Sequence, residues 1–525
     1  MKLFRFILAF LMTVFVIQSH THAASRHRTL IIGMDISDGK TYDPSRQFEV
    51  TTPFTMGNVY ETLITATPDN YENLKPSLAK KWELSNSGKS WRFYLRDNAK
   101  FSNGDNVTAY DVKFSFDRLM NLKDQPAILA ENIENVVVID EKTLDIFMVN
   151  DKESFLPILT SVSFSIMSKN QIEKLGGISD TSAKDKDVAT KHLNEKSYGS
   201  GPYRMVRWVR NELVDLERNP FWHEATYFER VIIRHIPDGS SQLLALRRND
   251  IDIAFNLSNE QVELAKTRNF KVVTEPSLDY TYLALTNNSE FNSALSDRNA
   301  RLAIAHAIDY DGIIKEIVGG YGVRPSSILP IGIGGSTIEQ TKKFGYTFDP
   351  NKAKEYLSRS SSPNGFKFNF HYSATSSFWN IRSSLVAQKI QSDLSKVGIV
   401  ANLVPVDQPN LWTLYRGGKL HAGLMSWTID ALDANLWAKP FVGRIADRMF
   451  WKPDQNLISL MEKAAVENDL LTRNSLYEQY QKHMIESATF INLVQPTFRV
   501  VTNQNLKNVV LTAAGWYMNL KDIKR

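Results

Sequence analysis

A helix followed at once by a strand is the feature that most constrains the fold of this chain. The apolar residues of the helix recur at helical spacing and are Val386, Ile390, Leu394 and Val397. Gly398 comes next, and glycine is the residue type that helices favour just past their C-terminus. Residues 399–406 then have the composition of a strand. A helix that leads directly into a strand predicts an α/β fold.

Other segments show both strand and helix signals. Further strand patterns occur at 29–34, 231–236 and 369–372. Thr108 is placed to cap a helix, with Asp111 three residues on as the partner of a capping box. The strand pattern at 91–96 alternates with turn-rich loops, which predicts a separate β-containing portion near the N-terminus. The very polar segment 177–196 predicts a surface excursion, and 332–345 predicts a loop.

The first residues have the pattern of an export signal. Lys2 and Arg5 precede an apolar run at 6–17 that is too short to span a bilayer, and small residues before and at Ala23 suit cleavage. We therefore expect residues 1–23 to be a signal peptide. The alternative is a membrane anchor left in place, against which the polar residues from Gln18 onward count.

Composition excludes several classes of protein. The 525 residues contain no cysteine, which excludes disulfides, a thiolate nucleophile and a cysteine-based metal site. Hydrophobic residues make up 43% and charged residues 23%, the balance of a globular protein. The formal net charge of +5 is mild. The sequence has no cluster of Lys and Arg interleaved with aromatic residues, so it does not predict nucleic-acid binding. The length predicts more than one domain.

Six short segments follow one another between Tyr60 and Phe114. They are YETL at 60–63, PSLA at 76–79, KWELS at 81–85, WRFYLR at 91–96, FSNG at 101–104 and VTAYDVKF at 107–114. In this order and spacing they resemble the family 5 extracellular solute-binding proteins, the dipeptide and oligopeptide receptors of bacterial ABC importers. The resemblance implies a class of protein and leaves the carried ligand open.

The resemblance continues as far as Asp430. The later segments are YGSGPYRMVRW at 198–208, NPFW at 219–222, LRRNDIDI at 246–253, SDRNARLAIAHAID at 296–309, FDPNKA at 348–353, DLSKVGI at 393–399 and WTID at 427–430. Any one of them is weak evidence, whereas many in register are specific. The family's ligands include peptides, sugars, opines and metal chelates.

The resemblance also implies an architecture. It is the α/β, two-lobed periplasmic binding protein fold, of type II and similar to cluster C, with an extra subdomain and a ligand cleft between the lobes. Carried over, lobe I is 24–56 with 198–276 and 490–525, its extra subdomain is 57–197, and lobe II is 277–489. The chain has no cysteine for the lipid tether of such receptors, so we expect an untethered protein in a periplasm.

The WTID segment supplies the main candidates for ligand binding. In peptide-binding members its aspartate pairs with the ligand's ammonium group, so the resemblance implies this role for Asp430. A buried carboxylate is costly unless paired and therefore rewards a cationic ligand. Trp427 and Thr428 would line the pocket, as would Met425, whose thioether adapts to varied side chains. Alternatively, Asp430 only caps a following helix.

Two departures from the family pattern leave the ligand open. The usual proline after the aspartate is missing from residues 431–437. Where some dipeptide binders carry an arginine for the ligand's carboxylate, this chain has small polar residues with Phe378 and Trp379, and Arg382 lies close by in sequence. We expect Phe378 and Trp379 to contact ligand. These aromatics would suit a longer peptide, a modified peptide or a sugar-bearing ligand.

Motifs for catalysis or metal binding are weak. Gly88, Lys89 and Ser90 imitate the end of a P-loop, but the glycine required five residues earlier is Glu83, so a turn is the better interpretation. The histidines have no metal-ligand spacing. His421, six residues before Trp427, is the one with a possible site role, although a structural role is favoured. We expect no catalytic residue, metal or cofactor.

The sequence therefore predicts a monomeric periplasmic receptor that captures a peptide or peptide-like solute. Its partners would be the permease and ATPase of an inner-membrane ABC importer. The alternatives are a nickel chelate, an opine, haem or an oligosaccharide as cargo, or a role as a ligand sensor. A secreted hydrolase is a further alternative, for which the sequence offers neither a nucleophile with its base nor a metal cluster at a recognised spacing.

Overall fold

The strands carry most of the architecture in this computed structural model. It describes residues 27–67, 70–85, 88–150, 155–255, 257–374, 377–378, 381–428, 432–467, 469–513 and 518–525. The strands of this part are β1 Thr29–Met34, β2 Ile64–Thr67, β3 Asn70–Pro76, β4 Ala79–Leu84, β5 Ser90–Leu95, β6 Ile133–Asp140, β7 Thr143–Met148, β8 Tyr203–Val209, β9 Leu213–Arg218, β10 Arg230–His235, β11 Ile253–Ala254, β12 Lys271–Pro276, β13 Tyr280–Leu285, β14 Gly322–Val323, β15 Lys367–Ser373, β16 Ser377–Phe378, β17 Ile381–Arg382, β18 Val400–Val406, β19 Ala422–Trp427 and β20 Phe490–Thr502.

Helices connect and cover these strands. The α-helices of the described residues are α1 Thr52–Val59, α2 Ala109–Leu122, α3 Lys169–Lys174, α4 Ala183–Lys186, α5 Thr190–Leu193, α6 Gly239–Arg247, α7 Asn259–Thr267, α8 Ser293–Ser296, α9 Arg298–Ala307, α10 Tyr310–Gly312, α11 Ile338–Phe344, α12 Pro350–Ser358, α13 Ser383–Ser395, α14 Gln408–Arg416, α15 Asn435–Val442, α16 Arg444–Arg448, α17 Gln455–Val466 and α18 Leu470–Ser487. Short 3₁₀-helical or π-helical turns lie at Gln125–Ala130, Leu156–Thr160, Val162–Phe164, Ile313–Ile317 and Leu520–Asp522.

One mixed sheet connects both lobes. Within the described residues it has twelve strands in the order β18-β15-β19-β13-β20-β11-β1-β10-β9-β8, with β12 and β14 also paired to β20. β15 is parallel to β18 and β19, and β1 is parallel to β10 and β11. Parallel strands on either side of a central antiparallel group, with helices against them, define a two-lobed α/β fold.

The long strand β20 passes from one lobe to the other. Its first part, 490–494, pairs with β13, and its second part, 497–502, pairs with β12. The other crossing between the lobes lies earlier in the chain, between β12 and β13 at 276–280. The division of the chain into lobes stays a prediction. The pairing of β20 favours a crossing at 495–496, whereas the sequence predicts the lobe boundary between residues 489 and 490.

A separate sheet lies near the N-terminus, as the turn-rich pattern there predicts. Its order is β4-β5-β7-β6, and a distinct hydrophobic core between Leu63 and Ile166 lies beneath it. α2 begins at the predicted capping box, where the backbone N–H and the hydroxyl of Thr108 donate to Asp111 Oδ2 at 2.9 and 2.7 Å. The extent of the subdomain, 57–197, stays a prediction.

One local prediction is confirmed and two are corrected. α13 is followed by Gly398 with φ of +86° and then by β18, as the pattern at 386–406 predicts. The predicted loop at 332–345 is wrong in part because it contains α11, which Thr337 caps by accepting from Gln340 N. The polar segment 177–196 is more than a surface excursion because its Asp187 is buried against Arg118.

Candidate functional site

The carboxyl ends of three strands meet at one edge of the lobe II sheet. β15 is parallel to both β18 and β19, so these strands end together at Ser373, Val406 and Trp427. Ligands of α/β proteins commonly bind outside such an edge. Tyr280, the first residue of β13, pairs with Trp427 and follows the crossing at 276–280 directly. The edge therefore faces the place where the chain passes between the lobes.

The two crossing segments are tied together by Gln495. This side chain is fully buried and accepts a hydrogen bond from Ile331 N at 2.8 Å. It donates to the carbonyl of Ile331 at 3.0 Å and to the carbonyl of Ser277. Ser277 N also donates to the carbonyl of Pro496 at 3.0 Å. These bonds fix the relative position of the strands at the edge.

Met425 lies in the floor of the edge. It is 2% exposed and pairs with Tyr282 across β19 and β13. The hydroxyls of Tyr282 and Tyr415 lie 3.1 Å apart. Burial raises the pKa of Tyr415 to about 12, and the guanidinium carbon of Arg448 lies 5.2 Å from the centre of the Tyr415 ring.

Trp427 and Thr428 lie at the end of the same strand. Both are partly exposed. The Trp427 ring packs against Phe441 at a centroid distance of 5.6 Å, and the guanidinium carbon of Arg444 lies 5.9 Å from the Trp427 ring. One part of the indole is thus anchored in the core while the rest can contact a solute.

The remaining predicted site residues belong to two nearby segments. Phe378 is in β16, which pairs with β17 immediately before α13; only its backbone is described. Trp379 and Asp430 lie outside the described residues, so their roles stay predictions. Arg382 is exposed at the N-terminus of α13. Two segments distant in sequence therefore approach the edge that contains Met425 and Trp427.

A small cavity lies at this edge that no sequence signal indicates. It is lined by Thr281, Ser373, Ile381, Ser383, Val386, Gln408, Leu424, Met425 and Ser426. The lining comes from β13, β15, β17, β19 and the first turns of α13 and α14. Of the predicted site residues only Met425 is among them. The other lining residues come from separate strands and helices, and only the fold brings them together.

His421 lies at the opposite end of β19, before its first residue. Its ring stacks on Phe291 at a centroid distance of 6.3 Å, and burial lowers its pKa. Its position away from the carboxyl edge favours the structural interpretation. Among the residues that the structure describes, no three His, Cys, Asp or Glu side chains are grouped closely enough to hold a metal ion.

None of the helices in the described ranges is both long and apolar enough to cross a membrane.

Two lobes, two crossing segments and a carboxyl edge beside the crossing give this chain the architecture of the two-lobed solute-binding proteins. The family follows from the sequence itself. This chain belongs to the bacterial extracellular solute-binding proteins, family 5, whose middle region matches residues 73–444. That match covers more than half of the chain.

Relatives resemble the chain over nearly its whole length. The "Probable D,D-dipeptide-binding periplasmic protein DdpA" of Escherichia coli is 28% identical over 93% of this chain and 92% of its own length. Heme-binding protein A of Haemophilus influenzae is 25% identical over 92% of this chain and 88% of its own length. The structure of DppA from Helicobacter pylori with the peptide STSA has a TM-score of 0.74, with 24% identity, 94% coverage of this chain and 98% coverage of that chain. The likeness to this structure shows the fold.

Proposed function

We propose that this chain is a periplasmic receptor that encloses a small peptide or peptide-like solute between its lobes and delivers it to an inner-membrane ABC importer. The observation that supports the proposal most directly is the position of Trp427 and Met425 at the carboxyl edge beside the crossing. Closure of the lobes would add contacts from both sides, so a bound solute shifts the population toward the closed form. Delivery of this kind requires no covalent step.

A peptide is the favoured cargo. The relative with 28% identity is described as binding a D,D-dipeptide, and the Helicobacter pylori structure contains a peptide. The similarity to a heme-binding protein makes haem one alternative outcome of the test, and a nickel chelate, an opine and an oligosaccharide are the other alternative cargoes. The predicted signal peptide at 1–23 and the absence of cysteine favour an untethered periplasmic protein.

Thermal unfolding against peptides of graded length tests the cargo. A ligand present at 100 times its Kd stabilises the native state by about 2.7 kcal/mol, which raises the melting temperature measurably. Native mass spectrometry of protein purified without unfolding would identify cargo that stays bound. Stabilisation by haem or a chelate with no response to any peptide would reject the peptide proposal while leaving a solute-binding role.

Asp430 is tested with a matched control on the same lobe. The Asp430→Asn variant should bind a peptide roughly a hundredfold more weakly, because removal of one partner leaves a buried charge unpaired. N-acetylation of the peptide should harm the parent strongly and the variant little, which is the non-additivity of a direct pair. Asp447→Asn is the control, since Asp447 is exposed on α16. Equal affinity of parent and Asp430→Asn would leave Asp430 as a helix cap.

A further inference from the structure

The lining of the small cavity at the lobe II edge includes four residues with hydroxyl groups, Thr281, Ser373, Ser383 and Ser426. Thr281 and Ser426 face each other across β13 and β19, and Ser383 is the first residue of α13. All three line the cavity, together with Gln408. Leu424, Ile381 and Val386 are apolar residues of the same lining. A polar group enclosed here would therefore be recognised by hydrogen-bond donors at fixed positions.

The Thr281 hydroxyl is the strongest indication that something binds in the cavity. Thr281 is 5% exposed, and its Oγ1 atom has no hydrogen-bond partner among the described residues. A buried hydroxyl without a partner lowers the stability of the folded state. Native structures rarely leave such a group unmatched unless a ligand or an ordered water meets it.

The N-terminus of α13 faces the same cavity. The helix has 13 residues, and Arg382 at its N-cap position makes no side-chain capping bond. The first N–H groups of a helix lack intrahelical acceptors, and this end of the helix is electropositive. The neighbouring α14 differs because Asp407 already caps it, accepting from Asn410 N at 2.9 Å. Only α13 therefore offers an end without a side-chain cap among these two helices.

We propose that this cavity binds one carboxylate group of the solute, and specifically the terminal carboxylate of a bound peptide. The inference rests on the proposed function and supplies the carboxylate partner that the sequence left open. Helix N–H groups only donate, and the helix end repels cations, so an ammonium group is disfavoured. The cavity holds about 10 Å³, which is room for about one water-sized group, so one carboxylate oxygen enters and the other remains at the mouth.

The position of the cavity agrees with a ligand that spans the edge. Ser426 and Met425 precede Trp427 directly in β19, and Arg382, the exposed cation beside the α13 end, adds positive charge without occupying the cavity. Asp407, the acidic residue next to the lining residue Gln408, is exposed. A peptide whose amine lies near Trp427 and the segment after it would direct its other end toward α13.

The first experiment compares two peptide mixtures. One is an equimolar mixture of dipeptides to tetrapeptides with free carboxylates, and the other contains the same peptides as C-terminal amides. Hydrogen bonds to charged groups are among the stronger ones, so the parent should prefer the free carboxylates by about tenfold or more. Thr281→Val and Ser383→Ala should reduce this preference, whereas the control Ser395→Ala, at the far end of α13, should keep it.

The variants also separate binding from folding. Thr281→Val replaces an unpartnered hydroxyl by a methyl group of the same shape, so the empty protein should be as stable as the parent or more stable. Equal binding of both mixtures by the parent would overturn the carboxylate site and leave the peptide receptor intact. Binding of neither mixture would reject the peptide proposal.

A crystallographic arm tests the site without a peptide. Crystals of the parent soaked in sodium formate should show a formate oxygen within hydrogen-bond distance of Thr281 Oγ1. The Thr281→Val variant should show weaker occupancy at the same formate concentration. A water molecule at that position with formate absent would overturn the proposal and identify the cavity as a structural water site.

Discussion

Arg118 and Asp43 form a buried ion pair with two hydrogen bonds. The Nη1 and Nη2 atoms of Arg118 each lie 2.7 Å from an oxygen of Asp43, and both side chains are fully buried. Arg118 also donates two bonds of 2.8 Å to Asp187. These contacts join α2 to the segment after β1 and to the polar stretch 177–196. A guanidinium group satisfies two carboxylates in this geometry because it presents a planar fork of donors.

Loss of one carboxylate from this pair should destabilise the protein strongly. Asp43→Asn removes one of the negative charges that neutralise the buried Arg118. Breaking a buried ion pair lowers the free energy of unfolding by about 3–5 kcal/mol. Unfolding in urea measures the change. The control is Asp97→Asn, which removes the exposed pair with Lys80 and should have little effect because surface pairs contribute little. Similar losses in the two variants would show that Asp43 has no special role.

The same pair predicts a loss of stability in acid. Burial alone would raise the pKa of Asp43, but the charge and hydrogen bonds of Arg118, with a bond from Thr190, bring it below its ordinary value. A carboxyl group with a lower pKa in the folded state stabilises the protein above its unfolded pKa of about 3.9. That contribution is lost as the pH falls through the folded pKa. Urea unfolding from pH 7 to pH 3 should therefore show a smaller stability difference between parent and Asp43→Asn below about pH 4.

We expect the hydrogen bonds of Gln495 to stabilise the folded protein at the place where the two crossing segments meet. Gln495→Leu removes the bonds to Ile331 and Ser277 and leaves buried backbone groups without partners, at about 1–3 kcal/mol for each unsatisfied group. Thermal unfolding should show a lower melting temperature. The control is Gln479→Leu on the exposed part of α18, where one long side-chain bond of 3.4 Å is lost. An unchanged melting temperature for Gln495→Leu would mean that water replaces the lost bonds.

Closure of the lobes should be visible in solution. The sheet crosses between the lobes only through the segments near 276–280 and 495–496 in the described residues, so bending can concentrate there. Small-angle scattering should give a smaller radius of gyration when a peptide that stabilises the protein is added. An identical profile for ligand-free and saturated protein would contradict closure on binding.

Export should remove the N-terminus. The charge pattern of Lys2 and Arg5 and the apolar run at 6–17 predict cleavage after Ala23. Sequencing of the protein from a periplasmic extract should begin at Ala24, or at Ser25 if cleavage occurs one residue later. Recovery of intact Met1 in a membrane fraction would support a retained anchor.

Local patterns predicted individual helices and strands better than they predicted the site. The helix and strand at 386–406 and the capping box at Thr108 depend on neighbours within a few residues, and such interactions are visible along the chain. α11 was missed because it is short and lies between glycine-rich turns. Met425 and Trp427 were found only through the family resemblance, because neither has a local signal that separates a ligand contact from a core residue.

By itself the sequence determined the family, through its motifs, and the α/β character and flanking elements of the carboxyl edge, through apolar periodicity and short-range hydrogen bonds. The tertiary structure decided which residues meet. Thr281, Ser383 and Ser426 line one cavity although up to 145 positions of chain separate them, and Asp187 is buried beneath Arg118 although its segment is strongly polar. Strand order and helix packing bring such groups together, and those long-range contacts leave no periodic trace in a single sequence.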